Sequence, residues 1–158
     1  MNSKNFSGIC VLLVGLVIPQ WEIVAADSYE LVSVEEYERS VEADTGDDDF
    51  FDRAPDPLAP KIDVKRPGEG SEYTAPVDIE IAFVAAAGSS IDLDTLKITY
   101  GALGINVTER VTENAEVTAN GILSEGASLP KGRHKLTIFI SDSDGREGKR
   151  RFKFRIIE

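Results

Sequence analysis

The sequence predicts an all-β fold, an antiparallel sandwich of about seven strands. From Lys61 onward, short runs alternate strictly between apolar and polar residues, the pattern of half-buried strands. Stretches with turn chemistry separate these runs, and no convincing helical periodicity competes with them.

The strands follow in order. KIDVK (residues 61–65) sets Ile62 and Val64 on one face, and VDIEIAF (77–83) sets Val77, Ile79, Ile81 and Phe83 against Asp78 and Glu80. LKITY (96–100) contributes Leu96, Ile98 and Tyr100; INVTERV (105–111) contributes Ile105 and Val107; AEVTA (115–119) is weaker. LTIFI (136–140) aligns Leu136, Ile138 and Ile140, and RFKFRI (151–156) aligns Phe152, Phe154 and Ile156. RPGEGSEYTAP, AAAGSSID, YGALG, TENA and LPKGR supply the reversals.

Charge is unevenly distributed along the 158 residues. The chain carries a net −11, yet residues 27–60 hold 12 acidic and only 2 basic residues, while residues 61–158 hold 15 and 14. The acidity therefore belongs to one segment. A segment this negative is repelled by phosphate backbones and anionic lipid heads, which argues against nucleic acid as a partner.

Residues 1–26 read as a secretory signal peptide. Lys4 supplies a positive start, ICVLLVGLVI a ten-residue apolar core, Pro19 a break, and Val24-Ala25-Ala26 a small-residue cleavage site. The apolar run is half of the about 20 residues that span a bilayer. Cleavage after Ala26 would remove Cys10, Trp21 and Met1, which are the chain's one cysteine, tryptophan and methionine. Neither disulfides nor thiolate chemistry would then be available. The expected location is the periplasm or the cell exterior, with no membrane span after cleavage.

Residues 27–59 read as an acidic, largely disordered linker with a short helix near 34–42. Ser33 and Glu36 spell a capping box, and Leu31, Val34, Tyr37 and Val41 fall near one face. TGDDDFFDRAPDPLAP then has no periodicity, and prolines crowd its end. Phe50 and Phe51 among acids read either as a partner-docking motif or as part of a solvated tether, the tether being favoured.

The stretch ASLPKGRHKLTIFISDSDGREGKRRFKF resembles the last two strands of bacterial Ig-like domains. There a Leu-x-x-Gly-x-His segment leads into a strand ending in an Asp-x-x-Gly turn; the matching positions are Leu129, Gly132, His134, Asp142 and Gly145. Pro60 and Pro76 precede the first two strands as in the family's usual opening, so the resemblance covers residues 60–158. Arg146 stands where the family often has asparagine. The resemblance implies an Ig-like sandwich and says little of function, because such sandwiches host many roles.

Chemistry is sparse. His134 is the one histidine, so neither a histidine metal cluster nor a histidine relay can be built, and its setting favours a structural role. No nucleophile elbow or phosphate loop occurs, and the carboxylates Asp92 and Asp94 suit a turn. These features predict a non-catalytic protein without a cofactor. SDSDGREG (141–148) offers Asp142 and Asp144 as metal candidates, but an EF-hand register would put Ile140 and Arg151 at ligand positions. A turn is the favoured reading.

The last strand carries the remaining feature. Arg151, Lys153 and Arg155 alternate with its apolar residues and form a basic stripe, read as a surface for an anion or partner. The competing readings are a solvated strand guarding an edge, and a stripe covered by the acidic segment. The expected partner of this interaction module is another protein or a cell-envelope component; the alternative reading is a carbohydrate- or calcium-associated accessory domain, and an undetected hydrolase ranks third.

Overall fold

The computed structural model describes residues 28–44 and 56–158. Ten strands form two five-stranded sheets, and seven of the ten are four or more residues long. The first sheet holds β1 (Tyr29–Glu30), β2 (Lys61–Arg66), β4 (Val77–Val84), β7 (Ala115–Thr118) and β8 (Gly121–Ser128). Its order is β1-β8-β4-β2, with β7 also on β8. The second sheet holds β3 (Glu72–Tyr73), β5 (Ile91–Tyr100), β6 (Ile105–Asn106), β9 (Gly132–Asp142) and β10 (Glu147–Ile156), in the order β3-β10-β9-β5-β6. Pairing is antiparallel except for the two-residue contacts β1–β8 and β3–β10.

Side chains of alternating strands meet between the sheets. Ile79, Ile81 and Phe83 of β4 face Leu136, Ile138 and Ile140 of β9 and Phe152, Phe154 and Ile156 of β10 in one buried cluster. Each buried aliphatic or aromatic side chain contributes about 1.5–3 kcal/mol, and no described residue is a cysteine.

Two strand assignments differ from the sequence reading. INVTERV is not a strand: only Ile105–Asn106 pairs with β5, and Thr108–Thr112 forms a short helix, α2. Val107 and Val111 lie four residues apart and are both 1% exposed, a helical spacing that buries both. The compensating strand is β8, which the sequence reading left unassigned. Gly121, Ser124 and Gly126 break its alternation, and the register of β4 against it shifts between Val77 and Ile79.

The acidic segment also differs from expectation where it is described. Residues 28–44 pack against the sandwich. β1 extends the edge of β8, and Leu31 and Val32 that follow are 0% and 1% exposed. Helix α1 (Val34–Ala43) begins at the Ser33–Glu36 capping box, in which Ser33 Oγ accepts from the Glu36 amide and Glu36 Oε2 from the Ser33 amide. Glycines let α1 approach closely. A Cβ on Gly132 (φ +139°) would stand 1.9 Å from the Tyr37 hydroxyl, and one on Gly101 (φ +68°) 1.7 Å from Ser40 Oγ. Residues 1–27 and 45–55 lie outside the described residues, and with them the signal-peptide reading, Phe50 and Phe51.

Candidate functional site

The register of the β5-β9-β10 ladder decides what the second sheet shows outward. Lys97, Phe139 and Lys149 form one row, Thr99, Thr137 and Arg151 the next, then Lys135 opposite Lys153, and Arg133 opposite Arg155. Their strand neighbours Ile98, Leu136, Ile138, Phe152 and Phe154 point into the core. Seven cations thus share one sheet face of a chain whose net charge is −11.

Arg151, Lys153 and Arg155 lie side by side on this face as the alternation of β10 requires. Lys149, which the sequence reading set near the stripe, continues it on β10; Lys97, Arg133 and Lys135 belong to the face as well, and the sequence reading did not place them there. The inward parity of LTIFI already turned Arg133 and Lys135 outward; what was lacking was the pairing that sets them beside Lys153 and Arg155. Like charges directly opposite each other destabilise a sheet, so this arrangement favours an anionic neighbour.

Some anionic compensation is in place. Asp44 Oδ2 stands 3.9 Å from Lys135 Nζ, and Glu72 Oε1 3.8 Å from Arg155 Nε. Between them a cleft of about 470 Å3 opens over Arg133, Lys135, Lys153 and Arg155. At the other end of the face, the ammonium groups of Lys97 and Lys149 lie 6.0 and 5.9 Å from the Phe139 ring centre.

His134 sits on the inner side of the same strand and is 2% exposed. Its Nε2 is 2.7 Å from the Pro130 carbonyl, which can only accept, so Nε2 carries the proton. Nδ1 then accepts from the Tyr100 hydroxyl at 2.9 Å. The rings of Tyr37, Tyr100 and Phe154 surround it at 5.2–5.8 Å. Burial lowers its pKa, and the Pro130 hydrogen bond only partly opposes this. Burial likewise raises the pKa of Tyr100.

Asp142 and Asp144 lie in the β9–β10 turn. Asp142 Oδ1 accepts from the amides of Asp144 and Arg146, both at 3.0 Å, and Oδ2 from Arg146 Nε at 2.8 Å. Arg146 Nη2 also reaches Asp144 Oδ2 at 2.7 Å. Burial alone would raise the Asp142 pKa, but the hydrogen bonds from Arg146 and Asp144 outweigh it and hold it low. Both oxygens of Asp142 thus have protein donors, and the guanidinium occupies the space where a cation would bind. Gly145, at φ +76°, closes the turn onto the Asp142 carbonyl. Among the described residues, no three His, Cys, Asp or Glu side chains are grouped to hold a metal ion.

The two packed sheets with seven principal strands decide the architecture. The fold is a two-sheet β-sandwich. No family model matches the chain, and neither does any curated protein. Among solved structures, an endo-β-1,4-mannanase from Thermotoga petrophila aligns at 14% identity and TM-score 0.47, covering 72% of this chain and 21% of the mannanase. The chain thus spans about a fifth of that enzyme. CopC from Methylosinus trichosporium OB3b aligns at 13% identity and TM-score 0.42 over 61% of this chain and 94% of its own. Fibronectin(III)-like modules of Clostridium thermocellum CbhA align at 16% identity and TM-score 0.42, covering 61% and 96%. Among the described residues, no helix is long and apolar enough to cross a membrane.

Proposed function

We propose that this chain is an exported, non-catalytic interaction module that meets an acidic partner, a protein or a cell-envelope component, through the outer face of its second sheet. The observation that carries the reading is the paired placement of Lys135 opposite Lys153 and of Arg133 opposite Arg155, above a cleft. Such rows are costly unless a negative partner offsets them.

The non-catalytic part is supported by the state of His134. Buried and neutral, with both ring nitrogens in hydrogen bonds, it offers no exposed base. Export rests on the sequence of residues 1–26, and membership among bacterial Ig-like domains on the Leu129–Gly145 pattern.

Retention on immobilised heparin at low salt tests the reading, with Arg151→Glu/Lys153→Glu/Arg155→Glu as the comparison. Salt-sensitive retention by the wild type, lost in the variant, is expected. Passage of the wild type with the unretained fraction overturns it.

A further inference from the structure

The Arg133–Arg155 row ends the basic face at the cleft, and its surroundings set it apart from the other rows. The two residues are register partners on β9 and β10, so their Cβ atoms stand about 5 Å apart with both side chains on the outer face. Among the described residues, Arg133 enters no ion pair. Arg155 has the Glu72 contact at 3.8 Å, which is too long for a hydrogen bond. Two guanidinium groups therefore face each other without a carboxylate shared between them.

Charge sets which ligand suits this place. The described lining of the cleft brings Arg133, Lys135, Lys153 and Arg155 together with Asp44 and Glu72, a surplus of two positive charges. A phosphate monoester carries about −1.5 to −2 at pH 7 and matches that surplus. A sulfate ester or a carboxylate carries a single negative charge and does not. Geometry agrees with charge. Planar guanidinium forks donate in pairs to phosphate oxygens. The next row, about 7 Å along the strands, adds Lys153 and Lys135, whose side chain is only 9% exposed. A volume of about 470 Å3 falls within the range of small-ligand sites.

We propose that Arg133 and Arg155 clamp the phosphate of a phosphate monoester in this cleft, with Lys135 and Lys153 supplying the rest of the positive charge. The proposal rests on the reading under Proposed function that this face meets anions, and it adds the chemistry of the anion. The basic rows attract any polyanion, whereas the clamp selects a dianionic end-group.

Isothermal titration calorimetry of the full chain with phenyl phosphate and phenyl sulfate, at pH 7.5 and fixed ionic strength, tests the selection. Binding of the phosphate ester at least fivefold tighter is expected; equal affinities overturn the proposal. Arg133→Lys/Arg155→Lys keeps the charge and removes the forks. This variant is expected to lose at least fivefold in phenyl phosphate affinity while keeping its salt-sensitive retention on heparin; unchanged phenyl phosphate affinity overturns the clamp. Glucose 1-phosphate and O-phosphoserine, titrated in turn, distinguish a sugar-borne from a protein-borne ester, and binding of neither overturns the proposal. Heparin retention without phenyl phosphate binding removes the clamp and keeps the partner-binding reading. Fork-dependent phenyl phosphate binding without heparin retention upholds the clamp and removes that reading.

Discussion

Arg110 holds Glu36 with both arms of its guanidinium, Nη1 to Oε2 at 2.7 Å and Nη2 to Oε1 at 2.8 Å. Nη1 also donates to the Leu31 carbonyl at 3.0 Å. One side chain from α2 therefore fixes both the capping residue of α1 and the buried turn that precedes it. The hydrogen bond from Arg110 is the main reason the Glu36 pKa falls to about 2. Arg110→Met should destabilise the protein by about 1–2 kcal/mol, the lower part of the range for charged hydrogen bonds because Arg110 is partly exposed. Thermal denaturation at pH 7 checks this. The loss should shrink as pH falls through the range between the ordinary carboxylate value and about 2, where Glu36 becomes protonated in both proteins.

Leu31 measures how firmly the N-terminal acidic stretch belongs to the fold. It is 0% exposed among core residues of both sheets. Leu31→Ala should cost about 2–5 kcal/mol, as for other buried leucines. A tether residue would cost nothing, so urea denaturation separates the two cases.

Gly132 lets Tyr37 of α1 pack close against the second sheet. Gly132→Ala adds a methyl where the Tyr37 hydroxyl stands, in a backbone conformation that L side chains rarely adopt. A loss of about 1–3 kcal/mol is expected, and α1 should become more open to proteolysis. Tyr37→Ala in the same chain should recover part of this, giving a clear coupling term in a double-mutant cycle.

His134 makes stability depend on pH in a window of its own. Its folded-state pKa is lowered by burial, so below the ordinary histidine value the unfolded chain binds a proton that the folded chain refuses. Stability should therefore fall as pH drops from about 6.5 toward the folded-state value. Chemical denaturation between pH 7.5 and 5 should show this slope, and His134→Gln should flatten it.

Much of the fold was legible because alternation is a local signal. β4, β9 and β10 each bury the residues their alternation names, β2 half-buries Ile62 and Val64, and Ser33 with Glu36 makes the expected cap. β8 was not legible, since its inward Ser124 is satisfied by partners outside the strand, the Tyr29 hydroxyl at 2.7 Å from 95 residues away and the Asn114 carbonyl at 3.2 Å. The buried pair Leu31–Val32 was hidden by its acidic surroundings, because two adjacent apolar residues set no period. Of the candidate face, Arg151, Lys153 and Arg155 could be read from one strand. Lys149 continues that alternation on the same strand, whereas Lys97, Arg133 and Lys135 join only through strand register, which the sequence of a single strand does not contain.

The central claim is that the outer face of the second sheet is the contact surface. Amide chemical-shift mapping of the full chain during titration with heparin tests it most directly. The account expects salt-sensitive shifts concentrated at Arg133, Lys135, Lys149, Arg151, Lys153 and Arg155, with β2 and β4 unmoved. Shifts centred on the first sheet, or none at low salt, would contradict it.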